Sequence, residues 1–289
     1  MPIRGETKEE KKMAITNFIS TVWSETLATS LDSRYVAVAN CNRAYEGDIR
    51  EKGAMVKICG IGDVAVGDYT KNTDMSTPQT LDDTVRELCI DQAKYFNFQI
   101  DDIDRAQSSP KLMSEAMRVA AAALANTADA YVFGLYGEAG KTIKNDNVTA
   151  DTIMDTLISA RTALYGSGVG DSSDVVLEVS PEVAAMILKA KVMLSTDNGE
   201  MLENGCLGSV GGCKIYVSPN IAKTEEGGVT YHKCLARTKR AIAFAEQLSE
   251  IDAYRPEKRF ADAVKGLHLY GAKVVHPAEM ILLDLGIAA

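Results

Sequence analysis

The sequence predicts a mixed α+β protein organised around one long helix. Three observations carry this reading. Apolar residues from Leu112 to Leu135 recur at intervals of three and four, the spacing of a single helix face. The segment before that helix is rich in glycine and β-branched residues, the composition of a hairpin. The second half alternates strand-like and helix-like stretches, as in "DVVLEVSPEVAAMILKAK".

Taken in order, residues 14–40 place Phe18, Val22, Leu27 and Leu31 at mostly helical spacing and predict an extended or partly helical arm. Residues 42–73 carry Gly47, Gly53, Gly60, Gly62 and Gly67 with few large apolar groups, which predicts a long hairpin leaning on something else; the arm and this hairpin cannot bury their own apolar groups and are expected to need partners. Within 84–100 the second half, with Tyr95, Phe96 and Phe98, is strand-like. Ser109 followed by Pro110 is a helix start, hydroxyl cap then proline, and the apolar spacing extends the helix over about 26 residues, roughly 40 Å. Gly134 and Gly137 end it, and "IKNDNV" reads as turns, with no further helix until about Thr149. Ser180-Pro181 caps a second helix, and Cys213 to Val217 is a strand after a glycine turn. Residues 234–248 fit strand or helix, and the tail reads as two strands around Tyr270-Gly271.

Length and composition limit the function classes. A chain of 289 residues that is 46% hydrophobic can bury a large core in one domain or two intertwined lobes. No apolar run approaches the roughly 20 residues of a membrane span, and "MPIRGETKEEKK" lacks a signal peptide's apolar segment, so the protein is expected to stay in the cytoplasm. A net charge of −9 argues against a surface that grips nucleic-acid phosphates. The six cysteines form no C-x-x-C pair, which predicts buried free thiols rather than a disulfide framework or zinc ribbon.

"GLYGEAGKT", residues 134–142, fits the phosphate-binding loop template, with Gly134, Gly140, Lys141 and Thr142 in the required positions. The template needs a buried strand leading into a helix N-terminus, whereas here a long helix runs into the motif. Glu178 is the best second magnesium ligand for such a site, yet it leads into a capped helix rather than a switch loop. A nucleotide hydrolase is therefore the weaker alternative. Asp101, Asp102 and Asp104 offer paired carboxylates for Mg²⁺, but acids before a helix start are better explained by the helix dipole, with no metal involved. His232 and Cys234 could share a metal but lack a second ligand pair. No catalytic, cofactor or metal residue is assigned.

An arm with "FISTVWSETL", the hairpin "NRAYEGDIREKGAMVKI", the block "LCIDQAKYFNFQIDDIDRAQS" before the long helix, then "GSVGGCKIYVSPNI" and "FADAVKGLHLYGAKVVHP" follow one another in a familiar order. By these stretches the chain resembles the major capsid proteins of tailed bacteriophages, with the Hong Kong 97-type fold. The resemblance implies an N-terminal arm (1–41), an extended hairpin loop (42–78), a peripheral domain with a spine helix (79–145), a central domain (146–253) and a return to the peripheral domain (254–289). It also implies a structural subunit with no enzymatic activity and no cofactor, which assembles with itself as pentamers and hexamers. The icosahedral shell so formed encloses double-stranded DNA, with a scaffolding protein and a portal as partners. The place is the virion capsid, assembled in the host bacterial cytoplasm. A cellular encapsulating compartment of the same fold is the alternative. Some relatives crosslink through lysine and asparagine; Lys52, Lys57 and Lys71 lie in the hairpin, but no motif here supports that chemistry.

Overall fold

The computed structural model describes residues 25–45, 53, 55–61, 68, 71, 74, 83–101, 112–169, 175–193, 206–210, 212–258 and 261–288. Phe18, Val22, Lys52, Asp102, Asp104 and the Ser109-Pro110 helix start lie outside them. The helices are α1 (25–32), α2 (Leu112–Gly134), α3 (Ile153–Gly166) and α4 (Pro181–Met193). Twelve strands accompany them among the described residues: β1 (Met55–Ile61), β2 (Asp83–Cys89), β3 (Gln92–Asp101), β4 (Lys141–Asn145), β5 (Val175–Val179), β6 (Cys206–Val210), β7 (Cys213–Val217), β8 (Lys223–Glu226), β9 (Val229–Thr238), β10 (Ile242–Tyr254), β11 (Ala261–Val274) and β12 (Met280–Ala288).

Three sheets result. Seven strands join in the order β4-β12-β9-β5-β7-β6, with β8 paired to β9. β5 is buried at every position because it lies between β9 and β7, and its "VVLEV" run, apolar except for Glu178, suits a strand covered on both faces. The second sheet is β10-β11-β3, and the third is the two-stranded ribbon β1-β2. In β3 Phe96 and Phe98 are half-buried while Tyr95, Asn97 and Gln99 are exposed, so the strand alternates between a packed and an open face.

One continuous core joins α1, α2 and both larger sheets. Met117, Ala121, Leu124, Ala128 and Val132 of α2 recur at three and four and are all buried in it. Leu27 and Leu31 are buried in the same core. The described part of the arm therefore buries its apolar groups within its own chain, contrary to the expectation that it needs a partner.

Several elements differ from their sequence reading, each for a reason that lies far along the chain. The long helix is described from Leu112 to Gly134, its expected start lying outside the described residues. "KTIKN" is a strand, not a turn, because β12 pairs with it in parallel. Residues 83–89 are a full strand because β1 lies opposite them from Met55↔Cys89 to Ile61↔Asp83. The ambiguous stretch 234–248 is strand on both sides of a 3-10 turn, Lys239–Ala241. β11 runs unbroken through Tyr270-Gly271, held by β10 on one side and β3 on the other, and the tail turns at Pro277–Glu279 instead. Ser180 does cap α4, its Oγ accepting from Val183 N at 3.4 Å. The inferred segments do not coincide with the sheets. β4 and β12 both belong to the seven-stranded sheet, and β10 belongs with β11 and β3.

Candidate assembly site

The phosphate-loop motif is taken apart by the fold. Gly134 ends α2 with right-handed helical angles, φ −63° and ψ −18°, and a 3-10 turn, Leu135–Glu138, follows. Lys141 and Thr142 then open β4 as exposed residues. The order is helix, turn, strand, the reverse of what would aim a helix N-terminus at phosphates. Gly140 has a different use. Its N–H donates to Pro277 O at 2.9 Å and Met280 O at 3.2 Å, and a Cβ there would lie 2.5 Å from Pro277 O.

Glu178 is no metal ligand in waiting. It is fully buried in β5, where its two oxygens accept from Arg237 Nη2 at 2.7 Å and Nε at 2.9 Å. Burial pushes the Glu178 carboxyl up, and the guanidinium beside it pulls it back. Burial equally disfavours the Arg237 charge, but Glu178 holds it protonated, above its ordinary range.

Arg237 has a second task. Its Nη1 donates to Asn40 O at 2.6 Å and its Nη2 to Ala37 O at 3.0 Å. From the opposite side, Asp129 of α2 accepts from the N–H groups of Val36, Ala37 and Val38, each at 3.0 Å. Burial outweighs these donors and raises the Asp129 carboxyl to about 6. The arm at 36–40 is thus stitched through its N–H groups to the long helix and through its carbonyls to the seven-stranded sheet. Buried polar backbone needs such partners.

A second node lies on β10. Glu246 accepts from the Tyr35 hydroxyl, from His268 Nε2 at 2.8 Å and from Arg43 Nη2 at 2.6 Å. Burial alone would raise Glu246, yet His268, Tyr35 and Arg43 together hold it below its ordinary value. Arg43 also pairs with Asp32 at 2.8 Å, tying α1 to the start of the hairpin segment.

The ribbon β1-β2 is rooted on a small core of its own. Val56, Ile58, Leu88 and Ile90 are buried there against Ala243, Ala245 and Leu269. The hairpin therefore buries more against its own subunit than its glycines suggest. At its root Cys89 is exposed, which corrects the expectation of buried thiols, and Met55 opposite it is 62% exposed. Lys57 and Lys71 are both exposed.

The remaining sequence candidates are not brought together. His232 is buried with Nδ1 3.7 Å from Glu182 Oε2, and burial lowers its pKa, so it packs as a neutral ring. Cys234 is fully buried, its thiol pushed up to about 12 by burial. Asp101 ends β3 as an exposed residue. Among the described residues no three His, Cys, Asp or Glu side chains gather as a metal site, and no helix is long and apolar enough to cross a membrane. Sequence reasoning missed Asp129, Arg237 and Glu246. For Arg237 and Glu246 the available signal was a charge inside an apolar run, "CLARTKRAIAFAEQL", which a buried strand tolerates only when the charge is paired.

The model of a family described as "Phage capsid protein" matches residues 87–283, more than half of the chain. Among curated proteins none matches. A solved chain from Mycobacterium phage Che8 is 27% identical, covering 86% of this chain and 90% of that one with a TM-score of 0.68. A chain of the capsid of cyanophage P-SCSP1u is 17% identical over 86% of each chain, TM-score 0.66. A virus-like particle from Pyrococcus furiosus shares the fold at 12% identity, covering 90% and 96%, TM-score 0.55. A hairpin ribbon, then a long helix, with two larger sheets, make the Hong Kong 97-type capsid fold, and the chain belongs to the phage capsid protein family.

Proposed function

We propose that this chain is the major shell subunit of a tailed phage, assembling as pentamers and hexamers into a closed icosahedral shell around double-stranded DNA. The observation that carries the proposal is the family match over 87–283 together with a ribbon whose strands pair only with each other. A two-stranded ribbon is marginal on its own, so a neighbouring subunit is its natural support. The three-stranded sheet with the long helix serves as the peripheral body and the seven-stranded sheet as the central one, so β4, β10 and β12 cross the segment bounds that the family resemblance implies. A scaffolding protein and a portal are the expected partners, and host cytoplasm the place of assembly. The net charge of −9 suits a wall that encloses DNA without holding it. The phage family match favours this reading over a cellular compartment.

Electron microscopy of the purified full chain across a salt series tests the proposal. Between about 0.01 M and 0.15 M salt the screening length falls from roughly 30 Å to 8 Å, so repulsion between acidic subunits weakens while apolar contacts persist. Hollow particles should become more abundant with moderate salt. A protein that remains a monomer or small oligomer at every salt, with its scaffolding protein and portal present, would refute the shell.

A further inference from the structure

We propose that Gly271 is the seat that sets the angle of the β1-β2 ribbon, and that this angle decides whether a subunit can join its neighbours. The second half of that statement rests on the assembly reading above. Gly271 lies inside β11, paired with Ala245 of β10. It does not have the positive φ of Gly53, so backbone conformation does not call for glycine there. Space does. A Cβ added at Gly271 would lie 2.1 Å from the Cys89 carbonyl oxygen, 3.0 Å from its carbon and 3.1 Å from Ile90 Cα. All three are backbone atoms, which no rotamer change can move aside.

The chain crossing this seat is fixed on each side of it. Arg86 Nη1 donates to Val274 O at 3.0 Å, at the end of β11. Leu88 and Ile90 are buried in the ribbon's small core. Gly53, at φ 88°, donates its N–H to Ile90 O at 3.0 Å. Tyr131 of α2 donates to Asp91 Oδ1 at 3.0 Å. A side chain at 271 would therefore lift the root of β2 off the sheet and strain these anchors together. Because β1 and β2 are paired along their whole length, the ribbon moves as one body and carries the displacement outward.

Another glycine in the same strand provides the control. A Cβ at Gly266 would meet Phe96 Cε1 at 2.5 Å and Cζ at 2.6 Å, the far end of a side chain and not the ribbon. Gly266→Ala should disturb the packing of β3 and leave the ribbon angle alone.

The experiment compares full-length wild type, Gly271→Ala, Gly266→Ala and Arg86→Ala. Amide hydrogen exchange at Gly53 and residues 86–90 is read in the unassembled subunit, and particle yield by sedimentation. Gly271→Ala is expected to accelerate exchange at the root and to cut particle yield at least tenfold, while melting as a folded protein. Arg86→Ala should do the same to a lesser degree, and Gly266→Ala should leave root exchange unchanged. Wild-type exchange at the root in Gly271→Ala overturns the seat, and altered exchange with wild-type yield overturns its role in assembly. Should Gly271→Ala fail to fold, Arg86→Ala decides, and wild-type exchange and yield in that variant overturn the proposal. If wild type itself forms no particles, the assembly reading fails, while root exchange still decides the seat.

Discussion

β9 and β1 are both strands of this chain, but they are held in different ways. β9 pairs with β12, β5 and β8, and its residues from Tyr231 to Thr238 are all buried. It carries two buried cations, each matched by a carboxylate: Arg237 by Glu178, and Lys233 by Asp284 at 2.7 Å. β1 pairs with β2 alone. Val56 and Ile58 are its buried anchors among residues 55–58, while Met55 and Lys57 face out. The difference separates two tasks. The body is fixed by ion pairs and hydrogen bonds within the chain, and the ribbon is fixed at its root, which under the proposed assembly leaves it for contact beyond the subunit.

The largest blow to the body should come from Arg237→Ala. It leaves Glu178 buried without its partner and frees the carbonyls of Ala37 and Asn40, a loss of about 3–5 kcal/mol. Thermal unfolding should begin about 10 °C lower. A variant that melts like wild type would show that the arm is not pinned through this group.

A smaller effect belongs to Asp129. Its folded-state pKa of about 6 lies above the usual carboxylate value, so the folded protein holds this proton more tightly than the unfolded chain. The stability it contributes is full below about pH 4 and is lost as pH rises through about 6. Asp129→Asn cannot titrate and should lack this decline. Denaturant unfolding of both proteins from pH 4 to 7 gives the difference between two slopes, and parallel curves would place the pKa elsewhere.

The smallest expected effect is that of Lys141→Ala, on an exposed side chain at the start of an edge strand. Stability should change by less than about 0.5 kcal/mol. Neither the wild type nor the variant should bind ATP. Micromolar binding in the wild type that the variant loses would restore the nucleotide site.

How much was legible in the sequence follows the range of the forces involved. α2 and the Ser180-Pro181 cap were readable because their signals are local, the three-and-four spacing and a hydroxyl before proline. β4 was not, since nothing in "KTIKN" announces a parallel partner at the other end of the chain. Gly271 was read as a turn because its reason is an approaching backbone rather than its own conformation. Gly140 matched a phosphate motif for a similar reason: glycine was required there by a crossing at Pro277. The junction residues Asp129 and Arg237 looked like ordinary charges until the arm was placed between them. The arm itself was misjudged, because Leu27 and Leu31 find their core in elements about a hundred residues or more further on.

Removing residues 47–72 would take Val56 and Ile58 from the root and uncover Leu88 and Ile90, so such a variant should lose stability as well as assembly. Replacing 62–82 with a short Gly/Ser link keeps β1, β2 and their core. Sedimentation velocity of that variant beside the full chain, with melting curves of both, tests the separation of tasks most directly. The account predicts large particles for the full chain, and for the variant a folded subunit of nearly unchanged melting temperature that stays small. Normal shells from the shortened chain, or its unfolding, would contradict it.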